Sequence, residues 1–200
     1  ANETSIQKLN TDYRIIHPIA LQSPALSVSF YGSSFFKAEH LKELKPIKDN
    51  IVTLHLANMP LKDADLDVIA GFKNLRTLNI SFTQVTGKNL AQLNKLPALK
   101  QLSLTGLKIT AAEVEVLKAN RSLSSIYIWN TGLSEADITA LRNKIPSVLF
   151  DAGFKSDTVV ASLNAPIIED TKQIFTDTMQ VQLKHYIKGA IMRYTIDGTD

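Results

Sequence analysis

Three carboxylates stand at alternate positions in one short stretch, at Asp63, Asp65 and Asp67. Calcium-binding loops use this spacing, but they also require glycine at the sixth position and glutamate at the twelfth. Counted from Asp63, those positions hold Val68 and Asn74. We therefore interpret the carboxylates as charges that favour the first turn of a helix.

The remaining reactive side chains do not form a pattern that catalysis or metal binding needs. The histidines show neither H-x-x-H nor H-E-x-x-H spacing; they are His17, His40, His55 and His185. The absence of cysteine excludes disulfides, thiol catalysis and thiolate metal sites. The segment at Ser33 and Ser34 lacks the G-x-S-x-G pattern of a nucleophilic serine, and no obvious carboxylate pair suits a glycosidase. We predict a protein that is not an enzyme, with no cofactor and no metal.

An apolar pattern with a fixed period organises the middle of the chain. Its first position recurs every 24 residues (75−51, 99−75, 123−99), at Ile51, Leu75, Leu99 and Leu123. Later positions recur at the same interval, at Leu54, Leu78, Leu102 and Ile126, at Leu56, Ile80, Leu104 and Ile128, and at Leu61, Val85, Ile109 and Leu133. An L-x-x-L-x-L strand at such a period is typical of leucine-rich repeats. The pattern predicts that Leu78, Leu102 and Leu104 are among the most buried residues.

The second half of each repeat has helical spacing. Apolar residues three apart recur there, at Leu66 and Ile69, Leu90 and Leu93, Val114 and Leu117, and Ile138 and Leu141. Thr86, Thr110 and Ser134 precede these segments and are predicted N-caps. We predict an α/β fold, a leucine-rich repeat solenoid with a parallel sheet on its concave side and helices on its convex side.

One repeat position distinguishes this solenoid from others. Asparagine often forms a ladder there, but this chain has Met59, Thr83, Leu107 and Thr131. The two threonines can hydrogen-bond to backbone, whereas Met59 and Leu107 cannot. The pattern resembles bacterial leucine-rich repeats that carry threonine at this point, and the ribonuclease-inhibitor-like class, with a helix in every repeat, is the nearest architecture.

Side chains between the leucines should point away from the core, because successive residues of a strand face opposite sides. They form a small, uncharged, hydroxyl-rich surface with aromatic residues toward its C-terminal end. Tyr and Trp anchor many protein interfaces. The predicted partner-binding residues are His55, Asn79, Phe82, Gln101, Tyr127 and Trp129. In the alternative interpretation, other parts of the same chain cover Tyr127 and Trp129.

The sequence predicts four segments: an N-terminal capping segment (1–24), the solenoid (25–154), a linker (155–164) and a partial β-module (165–200). Strands are predicted at 165–168, 179–183 and 191–196. The run Tyr194-Thr-Ile-Asp-Gly-Thr199 resembles the turn of the chitobiase and β-hexosaminidase C-terminal module, an immunoglobulin-like domain also called fibronectin-III-associated. The resemblance implies the first half of a β-sandwich. Because exposed strand edges pair with whatever is available, these strands should pack on the last repeat, pair with a second copy of the chain, or fray. Of the three, we expect pairing into a homodimer first.

The bulk composition limits the partners further. The net charge of +3 is small and scattered, which argues against nucleic acid, and no apolar run is long enough to insert in a membrane. The polar N-terminus indicates a removed signal or an excised piece of a longer chain. The same combination of modules resembles parts of large bacterial envelope proteins, some with c-type cytochrome-like domains, although no C-x-x-C-H is present here.

Together these observations predict a non-catalytic protein-interaction module of a larger, membrane-anchored bacterial envelope protein. We expect the module to lie outside the cytoplasm and to bind an unidentified protein through its concave face. The alternative is a carbohydrate-directed accessory module of a polysaccharide-processing system. The resemblance to the chitobiase module suggests it, because that module occurs in sugar-processing enzymes.

Overall fold

Short strands alternate with short helical segments through the first of two units, residues 1–154 and 155–200, into which the chain divides. The structure, a computed structural model, describes residues 3–153, 165–169, 180–187, 189, 191–193 and 195. The segment boundaries given above stay predictions.

Seven strands form one sheet in the first unit, in the order of the chain. They are β1 (Arg14–Pro18), β2 (Leu26–Phe30), β3 (Ile51–His55), β4 (Thr77–Asn79), β5 (Gln101–Ser103), β6 (Ser125–Tyr127) and β7 (Leu149–Asp151). All neighbours are parallel except β1 and β2. From β3 onward the strands pair at the period of the sequence, since Leu54 faces Leu78, which faces Leu102. The mixed α/β class is therefore confirmed, with a sheet that is mostly parallel.

The connections between the strands carry short helical segments. The α-helices are α1 (Glu3–Leu9), α2 (Glu39–Lys42), α3 (Leu66–Ile69), α4 (Ala111–Glu115) and α5 (Glu135–Lys144). Tighter 3-10 segments lie at Lys45–Asn50, Asp63–Asp65, Leu90–Lys95 and Val116–Ala119. The prediction of an α-helix in every repeat was wrong for the repeat that contains Leu90 and Leu93, whose helical segment is wholly 3-10.

The core lies between the sheet and the helical segments. Leu54, Leu78 and Leu102 on the strands and Leu66 and Leu90 on the helical side are completely buried. Leu104 is also fully buried, so the predicted burial of Leu78, Leu102 and Leu104 is confirmed. Burying a side chain of this size contributes about 1.5–3 kcal/mol to folding, which makes the repeated leucine positions the main source of stability.

Two of the three predicted N-caps are confirmed. The Thr110 hydroxyl accepts a hydrogen bond from the Glu113 backbone N–H, and the Glu113 carboxylate accepts one from the Thr110 N–H. Ser134 and Asp137 form the same reciprocal pair at α5. These capping boxes satisfy backbone donors that a helix start otherwise leaves unpaired.

Thr86 was wrongly predicted as an N-cap. Its helical segment begins at Leu90, after Asn89, because the residue three positions after Thr86 is Asn89 and not an acid that could complete a capping box. The Asp63 carboxylate, from the preceding repeat, accepts the hydrogen bonds there instead. Asp63 Oδ2 accepts hydrogen bonds from the backbone N–H and the hydroxyl of Thr86, at 3.0 and 2.7 Å, and Asp63 Oδ1 accepts one from the Asn89 N–H.

The position that often holds an asparagine ladder behaves as the sequence predicts. The Thr83 hydroxyl donates to the Ile80 carbonyl and the Thr131 hydroxyl donates to the Ile128 carbonyl, each at 2.8 Å. Met59 and Leu107 are buried in the core. Hydroxyls therefore close the turn within their own repeats, while the apolar residues at the same position fill the interior.

The N-terminal segment reverses the direction of the sheet. β1 pairs antiparallel with β2, so that Ile16 lies opposite Val28. The buried Arg14 side chain joins the first elements: its Nη1 lies 2.7 Å from Glu43 Oε2 and 3.2 Å from the His40 carbonyl oxygen, and its Nε donates to the Leu9 carbonyl at 2.7 Å. The sequence analysis did not single out Arg14.

The second unit shows less strand than the sequence predicts. β8 (Ile167–Ile168) and β9 (Leu183–Lys184) pair antiparallel. Outside these two strands, the described residues 165–166, 180–182, 191–193 and 195 are not in a strand, so those parts of the predicted strands were wrong. Ile191 is 86% exposed, and without apolar burial an extended segment gains little. Met179, Tyr194, Ile196 and the predicted Asp197-Gly198 turn lie outside the described residues.

Candidate functional site

The predicted partner-binding residues separate into two places on the first unit. His55, Asn79 and Tyr127 lie in one row across the strands, in register with Ser103 of β5. Gln101 lies in the next row, beside Thr77 of β4. Phe82 and Trp129 lie outside both rows, beyond the last residues of β4 and β6. Both rows lie on the side of the sheet turned away from the core, which we call the outer face.

The outer face is a continuous set of small polar side chains. The Ser81 and Ser103 hydroxyl oxygens are 2.7 Å apart, and the Ser103 and Thr105 hydroxyl oxygens are 3.3 Å apart. The Asn79 Oδ1 accepts a hydrogen bond from the Ser81 N–H at 3.0 Å. These bonds hold the side chains in fixed positions before any ligand arrives, and preorganisation of this kind lowers the entropic cost of binding.

His55 is the histidine of the predicted set, and it lies on this face. Burial lowers the pKa of His55 below 6.5, and the charge of His17 lowers it further. His17 lies on β1 and is level with Ser27 of β2, which is level with Thr53 of β3. Because both effects disfavour the imidazolium form, His55 is neutral near pH 7 and presents an uncharged hydrogen-bonding group.

The two aromatic residues of the predicted set near β6 are both accessible. Tyr127 is 37% exposed and Trp129 is 53% exposed. Tyr127 ends β6 on the outer face, whereas Trp129 follows the strand and lies against Gly153, where an added Cβ would be 2.3 Å from the Trp129 Cδ1. The binding roles of the six residues stay predictions.

The side of the sheet on which the parallel strands end, here called the C-terminal edge, has a recurring backbone conformation. Four residues spaced by 24 have positive φ angles between 54° and 74°, namely Asn58, Phe82, Gly106 and Asn130. Asparagine and glycine adopt this left-handed conformation readily, but phenylalanine does not. The Phe82 ring lies against Gly106, where an added Cβ would be 2.2 Å from its Cδ1.

The sequence analysis missed Tyr31, which is 52% exposed. Ser29 pairs with His55, and continuing that register by two residues places Tyr31 level with Ala57, at the repeat position that Trp129 occupies later. The separation is 26 residues (57−31) because the register shifts between Leu26 and Ser27. Aligning the first strand by its outward serines would have revealed the equivalence.

Within residues 3–153 and the described parts of the second unit, no group of three or more His, Asp or Glu side chains could hold a metal ion. Asp63, which the calcium-loop spacing had drawn attention to, instead accepts the hydrogen bonds from Thr86 and Asn89. Across the same described residues, none of the helices has the length and apolar content to cross a bilayer.

No protein-family model and no curated protein matches the sequence. Among solved structures, the crystal structure of internalin C2 from Listeria monocytogenes is similar at 19% identity, with a TM-score of 0.42. The match covers 56% of this chain and 45% of that one, so the chain spans less than half of the internalin's length. At this TM-score the likeness carries no argument for function.

Proposed function

We propose that this chain is a non-catalytic binding module, a leucine-rich repeat solenoid that recognises a folded protein through the outer face of its sheet. We place it outside the cytoplasm, in a larger protein of a bacterial envelope. The observation that supports the proposal most is the row that joins His55, Asn79, Ser103 and Tyr127 across four parallel strands.

The chemistry of the outer face suits a protein partner. Serine, threonine and asparagine supply adaptable hydrogen bonds, and tyrosine supplies a rigid contact area at small entropic cost, as in antibody paratopes. The hydroxyl network around Ser103 is already formed, and Tyr127 is exposed between Ser103 and Asp151 in the same row. Such a face offers many moderate contacts and one aromatic anchor.

The experiment begins with a photo-crosslinking amino acid at Gln101, which is exposed on the outer face. Irradiation in an envelope extract of the source bacterium and mass spectrometry would identify a partner, which is then purified and titrated calorimetrically. We expect Asn79→Arg and Tyr127→Ala each to weaken binding at least about tenfold, corresponding to about 1.4 kcal/mol. The matched control is Asn143→Arg on α5, which is exposed on the helical side.

Equal affinities for the wild type, Asn79→Arg and Tyr127→Ala would contradict the proposal. The thermal unfolding midpoint of Tyr127→Ala should remain close to that of the wild type, because the ring is partly exposed and surface substitutions change stability by about 0.5 kcal/mol or less. A large loss of stability would show that Tyr127 is a packing residue.

A second candidate function, carbohydrate recognition, is favoured by a different observation. The exposed aromatic residues lie at the C-terminal edge and its neighbouring strand ends, and not across the centre of the outer face. That region is separate from Asn79 and Gln101.

A further inference from the structure

The exposed aromatic side chains of residues 3–153 are concentrated at the C-terminal edge. Each lies at the last residue of a parallel strand or in the turn that follows it: Tyr31, Phe35, Phe82, Tyr127 and Trp129. Burial would be the favourable state for rings of this size. Their common position indicates that one ligand contacts several of them.

Three of these rings follow alternate strands. Tyr31 follows β2, Phe82 follows β4 and Trp129 follows β6. Phe82 lies one residue further along its repeat than Tyr31 and Trp129. Neighbouring strands are about 4.8 Å apart, so the ends of alternate strands are about 10 Å apart across the sheet. That distance is comparable to the length of a disaccharide unit in an extended β-1,4-linked polysaccharide. We call these three residues the aromatic row.

Glycines support two of the rings. Phe82 lies against Gly106 and Trp129 lies against Gly153, so closely that an added Cβ would overlap the ring in either case. Each ring is thus held from one side by backbone, yet Phe82 remains 45% exposed and Trp129 remains 53% exposed. A ring fixed on one side and open on another provides a flat apolar surface for stacking.

Phe82 occupies a position where its side chain has a conformational cost. Its φ angle is +54°, in the left-handed region, whereas the same position of the other repeats holds Asn58, Gly106 and Asn130. A bulky residue in that region is an outlier, and strain of this kind is concentrated at binding and active sites. The turn forms without phenylalanine in the other repeats, so the presence of an aromatic ring at this position needs a separate explanation.

The surroundings of the aromatic row are polar but almost uncharged. A shallow depression of about 350 Å³ beside Phe82 is lined by Ser33, Ser34, Asn58, Met59, Pro60, Thr83 and Gln84. In the five turns at 31–34, 57–60, 81–84, 105–108 and 129–132, the one charged residue is Lys108. At the Trp129 end, the exposed Asp151 carboxylate accepts a hydrogen bond from the Gly153 N–H at 2.8 Å. Hydroxyl and amide groups between apolar rings complement a ligand with many hydroxyls and no charge.

We propose that the aromatic row binds an extended, uncharged polysaccharide that runs across the strands, with every second sugar stacked on Tyr31, Phe82 or Trp129. Serine, threonine, asparagine and glutamine side chains of the intervening turns bond to its hydroxyl groups. This site is additional to the protein-binding outer face and does not depend on it, because Asn79, Gln101 and Tyr127 are not members of the row.

The test is calorimetric titration of the full chain with uncharged hexasaccharides, namely cellohexaose, xylohexaose, mannohexaose and chitohexaose, with oligogalacturonate as a charged control. We expect at least one hexasaccharide to bind, and its disaccharide to bind at least about tenfold more weakly because it reaches fewer rings. Phe82→Asn and Trp129→Ala should each weaken binding about tenfold or more, while Asn143→Arg, exposed on the helical side, should leave it unchanged.

Phe82→Asn also separates binding from folding, because asparagine occupies the equivalent position in two repeats. We expect its thermal midpoint to equal or exceed that of the wild type. The proposal is overturned if no hexasaccharide binds at millimolar concentration, if Phe82→Asn binds as tightly as the wild type, or if Phe82→Asn instead weakens only the protein partner of the outer face. Failure of the outer face to bind a protein would leave this result unaffected.

Discussion

Single residues connect one repeat of this molecule to the next. Asp63 reaches Thr86 and Asn89 of the following repeat, and the buried Asn120 amide donates to the Leu93 and Leu96 carbonyls of the preceding one, at 2.9 and 3.0 Å. Both side chains satisfy backbone groups at the ends of short helical segments. Polar bonds between repeats therefore fix the stacking that the leucines favour.

We expect Asp63→Asn to lower the free energy of unfolding by about 1 kcal/mol, the usual cost of losing a helix cap. Burial raises the pKa of Asp63, but the hydrogen bonds from Thr86, Asn89 and Gly87 together hold it below 3.8. The contribution is therefore complete above pH 3.8 and is lost as the pH falls through the lower folded-state pKa. Urea unfolding at pH 7 and at pH 3 measures both effects.

The matched control is Asp67→Asn, because Asp67 is exposed and belongs to the same acidic stretch. The difference in stability between the wild type and Asp63→Asn should be smaller at pH 3 than at pH 7. Equal stability of the two at pH 7 would show that the contact with Thr86 contributes nothing.

Individual side-chain contacts could be predicted only where the partners are close in sequence. The pairs Thr110 with Glu113 and Ser134 with Asp137 follow from local spacing. The sequence analysis predicted the hydroxyl residues as N-caps but did not name their acidic partners. The bond between Asp63 and Thr86 joins residues 23 apart, and sequence spacing alone does not show which repeat supplies the carboxylate. The aromatic row was missed at Tyr31 for a similar reason, since a register shift alters its separation from the later repeats.

At the scale of elements, the strands were more predictable than the helical segments. Each strand position is determined by the buried leucines, whose period becomes the register of the sheet. Apart from α5, the helical segments have only one or two turns in which to bury their apolar residues, and short segments adopt 3-10 geometry readily. Helical periodicity therefore located these segments but did not determine their type.

We expect Leu102→Ala to destabilise the protein by about 2–5 kcal/mol, because the fully buried Leu102 side chain leaves a cavity at the centre of β5 when it is truncated. Its neighbour Gln101 is exposed on the same strand, and Gln101→Ala should change stability by about 0.5 kcal/mol or less. Chemical denaturation of the two variants measures the contrast. A Leu102→Ala protein as stable as Gln101→Ala would contradict the core described here.

At the scale of the whole molecule, the two units differ in how much apolar surface they bury. The first unit has a continuous core from Ile16 to Phe150, whereas described residues of the second unit such as Ile168, Ile187 and Ile191 are more than half exposed. The sequence resemblance to an immunoglobulin-like module has its hallmark at residues 194–199, most of which lie outside the described residues. A motif predicts a module only when enough strands accompany it to enclose a core.

We expect a chain ending after residue 154 to fold, since the core of the first unit is complete by Phe150. Circular dichroism should give an unfolding midpoint close to that of the full chain. Light scattering should give a monomer for the shortened chain, and a dimer for the full chain if its C-terminal strands pair as predicted from the sequence. Unfolding or aggregation of the shortened chain would make the tail a necessary part of the stack.

The common register of β3 to β7 gives the molecule a modular length. Because each strand is related to the next by 24 residues, inserting one complete repeat adds one strand and lengthens the sheet by about 5 Å. β1, which is antiparallel to β2, forms one end of the sheet, and the length is counted from that end. One repeat inserted between β4 and β6 would separate Phe82 and Trp129 by an odd number of strands, whereas two would restore an even one. Inserted repeats can therefore set the separation of Phe82 and Trp129 in steps of one strand spacing.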